Sequence, residues 1–255
     1  MMFVDSIVLM IDTLLPLFLV QVYFAKINKV TVSSLNYVLP SLLISVSLGL
    51  FCYPFLANAF NGFGIEISKI LGLIIGWGLL LYSAKTTLAQ RYINLCICLI
   101  SITWFTSALV ELALYLKGYW DSATFFYTTI LGCVVGLMIA WSVHILLELV
   151  LANSADVWSR LLTAFFCAGL LSQSVDLLAQ INIIVEYKNI HLLGSLATDD
   201  SIIGTLFNIF WGYKSTISGQ YALVYIIVLI ISFRFFSNPT ARTETVVHVH
   251  RDKEQ

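Results

Sequence analysis

The sequence predicts an all-α, polytopic membrane protein of seven spanning helices, and three observations lead there. Long apolar stretches recur along the whole chain, separated mostly by short polar breaks. Sixty per cent of the 255 residues are hydrophobic against 11% charged, and the mean hydropathy is +0.94, outside the range of water-soluble domains. Several of the stretches also carry a single acidic residue. A carboxylate is costly in hydrocarbon and is kept where it faces other helices, a cavity or a cation. No polar block is long enough for a separate soluble domain, and the net charge of −1 excludes a strongly basic nucleic-acid surface.

A spanning helix needs about 20 largely apolar residues, and the chain offers seven such runs. Residues 4–25 form the first. Asp5 is their first charge, and they lack the basic start and small-residue cleavage site of a signal peptide, so they are read as a retained span. The second is 33–57, and the third is 64–84, opened by Gly62 and Gly64; the fourth is 92–116. The fifth and sixth, 123–152 and 158–184, are long enough to tilt or project from the bilayer. The seventh is 218–237. Gly72 with Gly76, and Gly132 with Gly136, have the small-xxx-small spacing that lets helices approach closely. Residues 185–217 read as one long loop able to fold over a vestibule, and 238–255 as a polar cytoplasmic tail.

Lysine and arginine set the expected orientation. With the N-terminus outside, Lys26, Lys29, Lys85, Arg91, Arg160, Arg234, Arg242, Arg251 and Lys253 fall on the cytoplasmic side. Only Lys117, Lys188 and Lys214 fall outside, so an N-out, C-in topology in the plasma or inner membrane follows. The spans also divide as three, three and one. An odd triplet makes the second set enter from the opposite side, the inverted repeat used by many transporters.

In that orientation the intramembrane charges share a level. Asp12 in the first span, Glu66 and Lys69 in the third, Glu111 in the fourth and Asp176 in the sixth all lie between the outer surface and the midplane. Four carboxylates at similar depth make a candidate cation funnel, because oxygen ligands suit hard cations. Local roles stand beside that reading. Glu66 is placed to pair with Lys69 three residues on, and Asp176 follows Ser172, Gln173 and Ser174, a set that suits a packing network. Asp12 and Glu111 have almost wholly apolar neighbours within a turn, which favours function. Pro16, one turn after Asp12, removes a backbone hydrogen bond beside it. His144 and Glu148 share a face of the fifth span, as an inner relay or a local hydrogen bond. His248 and His250 in the tail are a weak candidate metal contact. The five cysteines, all in apolar runs, read as small buried hydrophobes.

Three stretches resemble the oxidase-linked high-affinity iron permease family, the iron/lead transporters. They are Asn61-Gly62-Phe63-Gly64-Ile65-Glu66, the loop Leu193-Gly194-Ser195 through Asp199-Asp200-Ser201-Ile202-Ile203-Gly204, and Trp211-Gly212-Tyr213 leading to Tyr221 and Tyr225. The resemblance implies seven spans, N-out and C-in. The family's Arg-Glu-x-x-Glu motif is degenerate here. Ile11-Asp12-Thr13-Leu14-Leu15 stands in the first helix, Glu111 alone in the fourth, and Lys69 where an acid is usual. One acid per helix suits a less charged or reduced metal better than a ferric ion.

The implied function is therefore inward permeation of a metal cation, iron first, past Asp12, Glu111, Glu66 and Asp176, with Lys69, His144 and Glu148 along the pathway. Its alternative is a transport-deficient assembly or sensing subunit of a metal-uptake complex. No nucleophile triad, zinc spacing or nucleotide loop is visible, so an enzyme is not expected. No permanently bound cofactor is expected either, with the metal as cargo. The expected partners are the lipid bilayer and an extracytoplasmic metal-binding protein or oxidase, not nucleic acid.

Overall fold

A computed structural model describes residues 2–28, 47, 55, 58–83, 91–100, 102, 123–152, 156–185, 190–191 and 201–237. They are overwhelmingly helical. α1 is Met2–Asn28, α2 Gly64–Ser83, α3 Arg91–Ile100, α4 Ala123–Ala152, α5 Asp156–Gln180, α6 Ile202–Trp211 and α7 Gly219–Ser237. A two-residue strand β1, Ile190–His191, pairs antiparallel with β2, Thr216–Ile217. Five helices, α1, α2, α4, α5 and α7, are long and apolar enough to cross a membrane. The chain is a helical membrane protein. These five coincide closely with the spans read at 4–25, 64–84, 123–152, 158–184 and 218–237. All of the span read at 33–57 except residues 47 and 55, and most of that at 92–116, lie outside the described residues, as do Glu111 and the tail with His248 and His250.

Burial sorts the helices into centre and rim. α1 and α5 are the most enclosed, while α4 and α7 turn most of their surface outward. From Ile11 to Val20 every α1 side chain is buried except Asp12, which is half-buried. The outward face of α4 is apolar at Leu131, Val134, Met138, Ile145 and Leu149, as a lipid-facing surface must be. One core joins Ile11, Leu15 and Leu19 of α1 to Leu73 of α2, Ile97 of α3, Ala140 of α4, Phe166 of α5 and Ile209 of α6.

Side-chain contacts tie the helices together and fix the relative sense of those pairs that meet at two or more points. Gly132 lies against Phe3 and Ser6, Gly136 against Ile7 and Met10, and His144 against Phe18. Positions rise together on both helices, so α1 and α4 run parallel. Tyr23 near the end of α1 packs on Phe166 of α5. Tyr82 meets Tyr92 while Gly76 meets Ile100, so α2 and α3 are antiparallel. Trp77 Nε1 of α2 donates to Ser232 Oγ of α7 at 3.1 Å. Gln220 Nε2 donates to the Val185 carbonyl at 2.6 Å, so the end of α5 adjoins the start of α7.

Close approach is written in the glycines. A Cβ on Gly132 would lie 2.7 Å from Ser6 Cβ, and one on Gly136 2.7 Å from Met10 Cβ. Gly132, Gly136, Ala140 and His144, four apart, form the buried stripe of α4 that faces α1. A Cβ on Gly76 would stand 3.5 Å from Ile100, an ordinary contact, and the Cys96 thiol donates to the Gly76 carbonyl at 3.4 Å. Both small-xxx-small pairs therefore lie on buried helix faces.

The long loop read at 185–217 contains α6, which is the main departure from the sequence reading. Ser201 caps its start, accepting from the Gly204 N–H at 2.9 Å. Gly212 ends it in the left-handed conformation (φ 65°), its N–H donating to the Asn208 carbonyl at 2.7 Å. At ten residues α6 spans only about 15 Å, half a bilayer core.

Candidate functional site

The end of α6 is built into the bundle. Gly212 sits against Gly169 in the middle of α5, where a Cβ on Gly169 would lie 2.7 Å from Gly212 N. Only two glycines let the backbones meet this way. Two tyrosines of α7 then fasten the turn: Tyr221 Oη donates to the Gly212 carbonyl at 2.8 Å and Tyr225 Oη to the Trp211 carbonyl at 2.6 Å. These bonds satisfy carbonyls that the ending helix leaves without intrahelical partners. Gly169 is eleven residues before the end of α5 and Tyr225 six beyond the start of α7. Gly212 therefore lies roughly 9–16 Å below the rim that those ends define. From there 212–218 climbs without helix to β2, which pairs with β1. Non-helical backbone at such depth is tolerated where protein or a polar cavity surrounds it.

Lys214 projects from this climbing segment and forms an ion pair with Asp176, one turn before the end of α5. The two side chains are 25% and 22% exposed, so the pair is only partly enclosed. The Lys214 ammonium also stands 5.6 Å from the Tyr221 ring centroid. The serines before Asp176 serve their own helix. Ser172 donates to the Ala168 carbonyl at 2.7 Å and Ser174 to that of Leu171 at 2.6 Å.

On α1, Asp12 is half-buried. Pro16 has no N–H to give the Asp12 carbonyl, although the helix continues through it. The Thr13 hydroxyl bonds back to the Leu9 carbonyl. Asp12 and Pro16 thus stand one turn apart on the same helix. Glu66, in the first turn of α2, and Lys69 are also half-buried. Glu66 Oε2 is buried with no hydrogen-bond partner among the described residues, and the described contacts contain no ion pair between Glu66 and Lys69. The turn that delivers Glu66 is unusual. Phe60, Asn61 and Gly62 are successively left-handed, with φ of 51°, 60° and 93°, a conformation that costs non-glycine residues about 1–2 kcal/mol each.

His144 is buried between the rings of Phe18, at 4.8 Å, and Trp141, at 5.9 Å, and its Nδ1 has no hydrogen-bond partner among the described residues. Glu148 is exposed one turn on. Asp12, Glu66 and Asp176 are not gathered into a three-ligand metal cluster among the described residues. The structure thus distributes them over α1, α2 and α5. The residue that sequence reasoning passed over as a site is Lys214. Its signal was the capped pattern around it: Ser201 before an apolar run, and Gly212 after it.

Comparison with models of protein families, with curated proteins and with solved structures finds no match to this chain.

Proposed function

We propose that the chain is a permease that carries a metal cation inward along a carboxylate-bearing path between its helices. The observation that carries this reading is Glu66, whose buried Oε2 is unpartnered among the described residues at the entrance of a spanning helix. An unmet carboxylate oxygen is expensive in a low-dielectric setting, and a passing cation relieves that cost. Asp12 supplies a carboxylate on α1, and Asp176 supplies one on α5. Glu111 completes the expected set.

Seven crossings are part of the proposal. The spans read at 33–57 and 92–116 add two crossings to the five long apolar helices. The basic residues favour N-out and C-in in the plasma or inner membrane, and the three-three-one division favours an inverted repeat. Iron is the proposed cargo because of the resemblance noted in the sequence. Among Asp12, Glu66, Glu111, Asp176, Lys69 and Lys214, four carboxylates against two ammoniums leave two formal negative charges. That balance favours ferrous over ferric iron. A partner that delivers the metal from outside fits the same reading.

Uptake of ferrous iron, kept reduced with ascorbate, into proteoliposomes tests it. Uptake is expected to fall at least tenfold in Asp12→Asn, in Glu66→Gln and in Glu111→Gln. Wild-type rates from all three would remove the path. The second reading, a transport-deficient assembly or sensing subunit, draws on Lys214 already neutralising Asp176. It predicts no uptake by the wild type and co-purification of a dedicated partner.

A further inference from the structure

We infer that Lys214 is a tethered stand-in for the cargo: its ammonium occupies the Asp176 carboxylate until an incoming divalent cation displaces it. This rests on the permease reading and assigns Lys214 the role of setting apparent affinity at that site. Four features of the geometry support it. An ammonium and a metal cation compete for the same carboxylate oxygen, here Asp176 Oδ2. Lys214 sits in the non-helical segment 212–218, so its head group can leave Asp176 without unwinding a helix. That segment is fixed at both ends, at Gly212 by Tyr221 and at Thr216–Ile217 by the bridge to Ile190–His191. Movement is thereby confined to the few residues that carry the ammonium. Finally, the Tyr221 ring 5.6 Å from Nζ offers the displaced ammonium a resting place by cation–π attraction. The partial exposure of both side chains leaves the pair open to an arriving ion.

A competitor and a structural clamp make opposite predictions. Removing a competitor frees the carboxylate, so Lys214→Ala lowers the ferrous-iron concentration for half-maximal uptake, by about two- to fivefold for a partly exposed pair. Lys214→Arg raises it, because a planar two-pronged guanidinium holds a carboxylate more firmly than a point-like ammonium. In Asp176→Asn the Lys214→Ala change shifts nothing further, since the contested oxygen has lost its charge. A clamp would instead be rescued fully by Arg, and Lys214→Ala would lower the maximal rate at unchanged half-saturation. The experiment is initial-rate ferrous-iron uptake by the full chain in proteoliposomes for wild type, the three single variants and the Lys214→Ala/Asp176→Asn pair. If Lys214→Ala inserts poorly, the Lys214→Arg rise decides alone. Wild-type uptake with half-saturation unchanged or raised in Lys214→Ala, or unchanged in Lys214→Arg, overturns the inference and leaves the permease standing. No uptake by the wild type overturns both.

Discussion

Adding a methyl group at Gly136 should loosen the protein, although alanine is the better helix former. A Cβ there would lie 2.7 Å from Met10 Cβ and 2.8 Å from the Ile7 carbonyl oxygen. Ordinary contact between carbon atoms begins near about 3.5 Å, so α1 and α4 must part by several tenths of an ångström. The Ile7 carbonyl is backbone within α1 and has no rotamer to escape into. Overpacking of this kind costs about 1–3 kcal/mol, and two backbone-fixed overlaps place it in the upper part of that range. Against it, Gly→Ala in a helix returns about 1 kcal/mol. The net expectation for Gly136→Ala is a loss of about 1–2 kcal/mol. Gly132→Ala, whose Cβ would lie 2.7 Å from Ser6 Cβ and 2.8 Å from the Phe3 carbonyl oxygen, should match it. The double variant should lose less than the sum, because one separation relieves both. Gly78, with nothing within 4 Å, is the internal control: Gly78→Ala should be neutral or up to about 1 kcal/mol more stable. Reversible unfolding in dodecylmaltoside–SDS mixed micelles, followed by tryptophan fluorescence, measures all four. If Gly136→Ala proves as stable as Gly78→Ala, the parallel α1–α4 contact is wrong.

Three further outcomes follow from the site. Tyr221→Phe and Tyr225→Phe each remove one hydrogen bond to the end of α6, and each should cost about 1 kcal/mol in the same unfolding assay. Gly212→Ala places a Cβ 2.5 Å from Gly169 Cα at a φ of 65°, and the yield of folded protein in detergent extracts should collapse. Glu66→Gln should raise stability while lowering ferrous-iron uptake, since the buried oxygen is kept for an ion rather than for the fold; a variant that is both less stable and fully active would contradict that assignment.

Much of the helical frame was legible because hydropathy and length alone decide which segments can bury their backbone in lipid. Gly132 and Gly136 announced a close contact by their spacing, and they form one. α6 was not legible as a helix in that search, since ten residues fall short of a span, although Ser201 and Gly212 marked both of its ends. The Asp176–Lys214 pair joins residues 38 apart in sequence through that unseen helix, and no local pattern encodes it. Glu66 and Lys69 show the opposite failure. Their spacing suits a local ion pair, yet a carboxylate oxygen of Glu66 is buried without a partner among the described residues. Side-chain direction near a helix start depends on what packs around it, here a left-handed turn at 60–62 that the composition of Asn61 and Gly62 merely permits.

Equilibrium binding of radioactive ferrous iron to the purified protein, beside an Asp12→Asn/Glu66→Gln double variant no less stable to heat than the wild type, probes the path most directly. The account predicts saturable binding by the wild type and at least a tenfold weaker constant in the double variant. Identical binding curves would mean that the acids on α1 and α2 serve packing, and that no cation travels between them.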